Sequence, residues 1–140
     1  MIKDRSERGG MIHKYVFGDP IETVAVVREI GESCWSDGLL HKEGNAFYYE
    51  LQPDEIVYGL GENVRGMNKR GWRYVSNCSD NPNHCEHTNS LYGAHNFIMA
   101  GDGTDNTFGV FVDIPGKITF DVGYTNTDQL AILPEDENYK

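Results

Sequence analysis

Basic residues, cysteines and long apolar runs are scarce in this 140-residue chain. Twelve Lys and Arg stand against 22 Asp and Glu, giving a net charge of −10. Such a chain offers no basic footprint for the phosphates of nucleic acid, and it has no attraction for an anionic membrane. Its three cysteines, Cys34, Cys78 and Cys85, cannot all pair, so a complete disulfide framework is excluded. No apolar leader opens the sequence, and together with the odd cysteine count this gives the expectation of a reducing, cytoplasmic location. No run approaches the roughly 20 apolar residues of a membrane helix. What is left is a neutral small molecule, a protein surface, or no partner at all.

The length fits one domain that can bury a core without staples. Sixteen Gly and eight Tyr among short apolar runs point to an all-β fold. Residues 1–10 are charged and glycine-tipped and read as a disordered extension, with the domain occupying 11–140. Ile12 to Phe17 reads as a first strand. Ile21 to Ile30 is ambiguous, because Ile21, Val24 and Val27 fit a helix while the β-branched Val24, Val26 and Val27 favour a strand. Gly31 to Gly44 reads as loop around Trp35. Strands are expected at Phe47 to Leu51, from Ile56, at Trp72 to Val75, at Asn96 to Ala100, at Thr107 to Asp113, at Lys117 to Val122 and at Leu130 to Leu133. Turns fall at Pro53-Asp54, Gly101 to Gly103 and Pro115-Gly116. A long polar loop spans Asn77 to Asn89. Ile118, Phe120 and Val122 alternate strictly, so one side of that strand is buried and the other wet. The fold class expected is an antiparallel β-sandwich.

The most informative stretch is Tyr58-Gly59-Leu60-Gly61-Glu62-Asn63, followed by the glycine-punctuated basic segment Arg65 to Gly71. Glycine reaches backbone angles that other residues resist and permits close approach, so the segment reads as a held bend, with Glu62 pairing to Arg65 or Arg70. Tyr58 to Glu62 resembles the YGxGE segment of the amino-terminal β-sandwich of glycoside hydrolase family 31, the α-glucosidase family. Further segments follow in order. Lys69-Arg70-Gly71 with Tyr74 resembles the family's basic segment, and Asn77-Cys78-Ser79-Asp80 is similar to its aspartate-bearing loop. Leu91-Tyr92-Gly93 before Phe97-Ile98 resembles its LYxxxPF segment, with Asn96 standing where proline is usual. Phe108 to Asp113 resembles its xxGxFxD strand. The likeness covers about residues 46–125.

The resemblance implies a galactose-mutarotase-like sandwich, incomplete here, that braces a (β/α)₈ barrel and roofs its active site with the Asn77 to Asn89 loop. It implies that Asp80 binds sugar hydroxyls of an α-glucoside. Retaining hydrolysis needs two carboxyls roughly 5–5.5 Å apart. In the family both belong to the barrel, which nothing here resembles. The chain alone is therefore expected to be inactive, with no catalytic residue, no cofactor and no metal of its own. Two other classes are open: a stand-alone carbohydrate-binding sandwich, and an interaction module that forms homo-oligomers through an exposed sheet edge.

Other constellations are weaker. Cys78, His84, Cys85 and His87 lie close together but lack the C-x₂₋₄-C spacing of a zinc site. Ser79, His95 and Asp113 could be drawn as a triad, but no nucleophile elbow surrounds any serine. Gly59-x-Gly61 lacks the third glycine and the helix of a dinucleotide loop. Phe97, Phe108, Phe111 and Phe120 are expected in the core. Tyr48, Tyr49, Trp72 and Tyr74 invite a sugar-stacking reading, but alternation lets only half of them share a surface.

Overall fold

The computed structural model describes residues 40–104, 107–114 and 116–135. Within them the chain is all-β. The strands are β1 (His41–Glu43), β2 (Ala46–Glu50), β3 (Ile56–Gly61), β4 (Trp72–Ser76), β5 (Ala94–Gly101), β6 (Phe108–Phe111), β7 (Ile118–Val122) and β8 (Gln129–Pro134). They form a five-stranded sheet in the order β1-β2-β8-β7-β4 and a three-stranded sheet in the order β3-β5-β6. Every pairing is antiparallel. The two sheets face one another as a sandwich.

The core follows from alternation. Phe47, Tyr49, Tyr74, Ile118, Phe120, Val122, Leu130 and Ile132 come from the larger sheet, and Val57, Ile98 and Ala100 from the smaller. Ile118, Phe120 and Val122 are fully buried, as their period-two pattern requires. Each such side chain contributes about 1.5–3 kcal/mol of transfer free energy. The ring of Tyr49 meets that of Phe108 edge to face, with centroids 4.8 Å apart, and so ties the two sheets together.

Three expectations need correction. The described end of the Gly31 to Gly44 loop is a strand, β1. It is the first leg of a two-residue hairpin whose turn uses Gly44 at φ +58°. Its residues are all exposed, so no apolar alternation announces it. Phe97 and Phe111 do not enter the core. Ile98 takes the inward position on β5, which turns Phe97 and its cross-strand partner Phe111 to the outer face, 40% and 67% exposed. Asp121, expected on the wet side of β7, is buried. Its Oδ2 accepts from Arg73 Nη2 at 2.9 Å and from the Thr125 hydroxyl at 2.5 Å, and its Oδ1 accepts from the amides of Tyr124 and Thr125. The expected extension at residues 1–10, the strand at Ile12 to Phe17, the ambiguous Ile21 to Ile30 and the proline of the Pro115-Gly116 turn lie outside the described residues.

Candidate functional site: a fastened loop beside a glycine bulge

The Tyr58 to Glu62 stretch ends β3 in a bulge. Register slips between Gly59 and Gly61, and Gly59, Leu60 and Gly61 all have positive φ, at 121°, 67° and 70°. A Cβ at Gly59 would collide with the Phe97 carbonyl oxygen, and one at Gly61 with the Gly93 carbonyl oxygen. The glycines are thus required by conformation and by the close approach of β5. The bend delivers Glu62 to the far end of the long loop. The Glu62 amide donates to the Gly93 carbonyl at 2.8 Å, and the Glu62 carbonyl accepts from the Leu91 amide at 3.2 Å. The Glu62 carboxylate accepts from the Gly93 amide at 3.1 Å.

That loop leaves β4 after Ser76 and returns at β5. It has no regular structure of its own, so side chains fasten it. The Ser90 hydroxyl accepts from the Asn77 amide at 2.8 Å and donates to the Val75 carbonyl. The Ser79 amide donates to the Leu91 carbonyl at 3.0 Å. Arg65 reaches across to the tip. Its guanidinium lies over the rings of Trp72 and Tyr74, 4.4 and 4.9 Å from the centroids. Its Nε donates to the Glu86 carbonyl and its Nη1 to the Arg73 carbonyl, each at 2.6 Å. The turn carrying Arg65 wraps Lys69, which is buried; Lys69 Nζ donates to Asn63 Oδ1 at 2.8 Å and to the Gly66 carbonyl at 2.9 Å. Burial, aided by the nearby Arg65, holds the Lys69 ammonium below its ordinary pKa.

The expected pairing of Glu62 with Arg65 or Arg70 is absent. Arg70 donates instead to the carbonyls of Gln52, Glu55 and Thr127 at 2.5, 3.0 and 3.1 Å. Backbone carbonyls at fixed positions capture both arginines, a competition that residue spacing does not display.

Asp80 sits on this loop, exposed to solvent. Its Oδ1 accepts from the hydroxyl of Tyr92, an exposed residue just before the loop's return at β5. That bond to Asp80 raises the Tyr92 pKa, with burial and the charge of Glu62 adding smaller pushes. Asp80 Oδ2 has no hydrogen-bond partner among the described residues and keeps its lone pairs for an incoming hydroxyl. Tyr92, Arg65 and Ser90 were not singled out for this role in the sequence. The signal present was Tyr92 within Leu91-Tyr92-Gly93, but its bond to a carboxylate twelve residues earlier depends on how the loop closes.

The remaining constellations separate in space. Among the described residues no group of three or more His, Cys, Asp or Glu could hold a metal. Cys78 and Cys85 are exposed free thiols. No hydrogen bond joins Ser79, His95 and Asp113. Of the four aromatic residues in the stacking reading, Tyr49 and Tyr74 face the core, Trp72 lies partly buried under Arg65, and Tyr48 faces outward.

Comparison with known proteins follows the same lines. The family model of the glycosyl hydrolase 31 N-terminal galactose mutarotase-like domain matches residues 5–121. No curated protein matches the chain. Among solved structures, the cycloalternan-degrading enzyme of Trueperella pyogenes, in complex with isomaltose, is similar at 22% identity with a TM-score of 0.61, over 68% of this chain and 14% of its own. A family 31 dextranase of Flavobacterium johnsoniae, complexed with isomaltotriose, is similar at 25% identity with a TM-score of 0.55, over 70% of this chain and 12% of its own. An uncharacterised protein of Listeria monocytogenes in complex with glucose is similar at 19% identity with a TM-score of 0.58, over 65% of this chain and 8% of its own. The likenesses below 25% identity show the fold. The chain spans only a small part of the length of these structures.

Proposed function

The chain belongs to the glycosyl hydrolase 31 N-terminal galactose mutarotase-like domain family, and from that premise we propose that it serves as the amino-terminal sandwich of an enzyme cleaving α-glucosidic bonds, lending Asp80 to the sugar pocket. The observation that carries the reading is the build of the loop. Asp80 is exposed, one oxygen is oriented by Tyr92, and the other has no partner among the described residues. A carboxylate in that state accepts hydrogen bonds from vicinal sugar hydroxyls at little ordering cost, because the loop is already fastened by Ser90, Arg65 and Glu62. The sugars named with the similar structures, isomaltose, isomaltotriose and glucose, are α-linked glucose oligomers or glucose itself, which supports a glucoside as the ligand class.

A bracing role is supported by the outer face of the three-stranded sheet. Tyr58, Phe97, Met99 and Phe111 are all at least 40% exposed and adjacent across the β3-β5-β6 ladder. A contiguous apolar face of this kind marks a contact surface. The hydrolytic step requires a nucleophile and a general acid/base carboxyl, and in this reading both reside on a barrel encoded in the same gene. Incubating the 140-residue chain with p-nitrophenyl α-glucoside tests the division of labour. No turnover is expected. Turnover that disappears in Asp80→Ala would place chemistry in this domain and overturn the reading.

A further inference from the structure

Far from Asp80, the outer face of the five-stranded sheet carries an open concavity of about 420 Å³, within the range of small-molecule sites. Tyr48 is its aromatic wall. Phe47 and Tyr49 are buried, so alternation turns Tyr48 outward. The ladder sets His41 opposite Tyr48 and Gln129 opposite Glu50, and two residues along from His41, Glu43 shares their face. The turn between β7 and β8 adds Asn126 and Asp128 at the rim.

The lining selects its ligand. Among the described residues that line the concavity, Glu43, Glu50 and Asp128 are acidic and none is Lys or Arg, so the lining disfavours a phosphate, a sulfate or a carboxylate. The acidic residues do not form a metal cage, since among the described residues no group of three or more His, Cys, Asp or Glu could hold an ion. Beside one aromatic wall stand carboxylates, amides and an imidazole. Carboxylates accept from hydroxyls, amide NH₂ groups donate to them, and an aromatic face accommodates the C–H surface of a pyranose ring. We infer that this concavity is a second carbohydrate site, taking a neutral pyranose unit.

It is separate from the Asp80 loop. β4, which leads into that loop, lies at the opposite edge of the sheet from β1, with β8 and β7 between β2 and β4. Three strand spacings separate β2 from β4, about 14 Å. The loop also leaves from the Ser76 end of β4, whereas Trp72 aligns through Val122 with Leu130, next to the Asn126–Asp128 turn. The sugar class is argued here from the lining, so the site stands or falls independently of Asp80.

The test is a titration of the isotopically labelled 140-residue chain with glucose and with isomaltose, followed by amide chemical shifts. Progressive shifts are expected at residues 41–50 and 126–129. They should persist in Asp80→Asn and in Tyr48→Phe, and be lost in Tyr48→Ala. Glu50→Ala, at an exposed position, should weaken them without disturbing the fold and guards against misfolding of the tyrosine variant. Shifts confined to residues 77–92, shifts unchanged in both Tyr48→Ala and Glu50→Ala, or no movement of these amides at the highest sugar concentration would each overturn the assignment.

Discussion

Single residues in this protein hold geometry more than they supply chemistry. Gly59 is the sharpest case, because both its φ of 121° and the neighbouring Phe97 carbonyl forbid a side chain. Gly59→Ala is expected to cost about 3 kcal/mol or more, read as a lowered urea midpoint; Gly103→Ala, where a Cβ meets nothing nearby, carries the φ strain alone and should cost less. Asp121 gives a pH dependence. Burial pushes its carboxyl upward, but donors from Thr125, Arg73 and the Tyr124 amide outweigh burial and hold its pKa below the ordinary 3.8. A carboxylate with a depressed folded pKa contributes stability above its unfolded pKa and loses it as pH falls through the folded value. Thermal scans from pH 6 down to about pH 2 should therefore show a decline for the parent that is shallower in Asp121→Asn, whose melting temperature is lower throughout. Parallel curves would contradict this.

Among the elements, seven of the eight strands are legible in the sequence and the fastenings are not. β7 announced itself because Ile118, Phe120 and Val122 alternate without exception, and the glycine pair of β3 signalled a bend that the bulge fulfils. β1 is not legible, because His41, Lys42 and Glu43 are all exposed and a two-residue hairpin sets their register. Residue type alone puts Phe97 and Phe111 in the core, whereas the phase of β5, fixed by Ile98 and Ala100, decides which side they face. The irregularity of the Asn77 to Asn89 loop is legible in its polar, unpatterned sequence. Its order rests on Arg65, whose two carbonyl acceptors lie 21 and 8 residues away. Arg65→Ala should raise hydrogen exchange across residues 77–90 while leaving β7 and β8 protected. Arg65→Lys should rescue little, since a lysine lacks the planar fork that stacks on Trp72 and Tyr74 while bonding at both ends. Equal exchange in the parent and Arg65→Ala would show that Ser90 and Glu62 suffice.

At the scale of the whole molecule, the described residues form a two-layer wall with two unequal outer faces. One carries charged and polar side chains around Tyr48; the other presents Tyr58, Phe97, Met99 and Phe111. When nothing else covers that second face, copies of the chain are expected to meet through it. Light scattering should report mass above the monomer that falls in Phe111→Asp, and a clean monomer at high concentration would argue against it. The central proposal is that Asp80 serves a sugar pocket completed by the rest of a glycosidase. The direct measurement is kcat/KM for isomaltose, using the polypeptide encoded by the complete reading frame, with and without Asp80→Asn. The account predicts a loss of about 10²-fold or more, equivalent to roughly 3 kcal/mol of transition-state binding, at an unchanged melting temperature. Equal kcat/KM in the two proteins would contradict it.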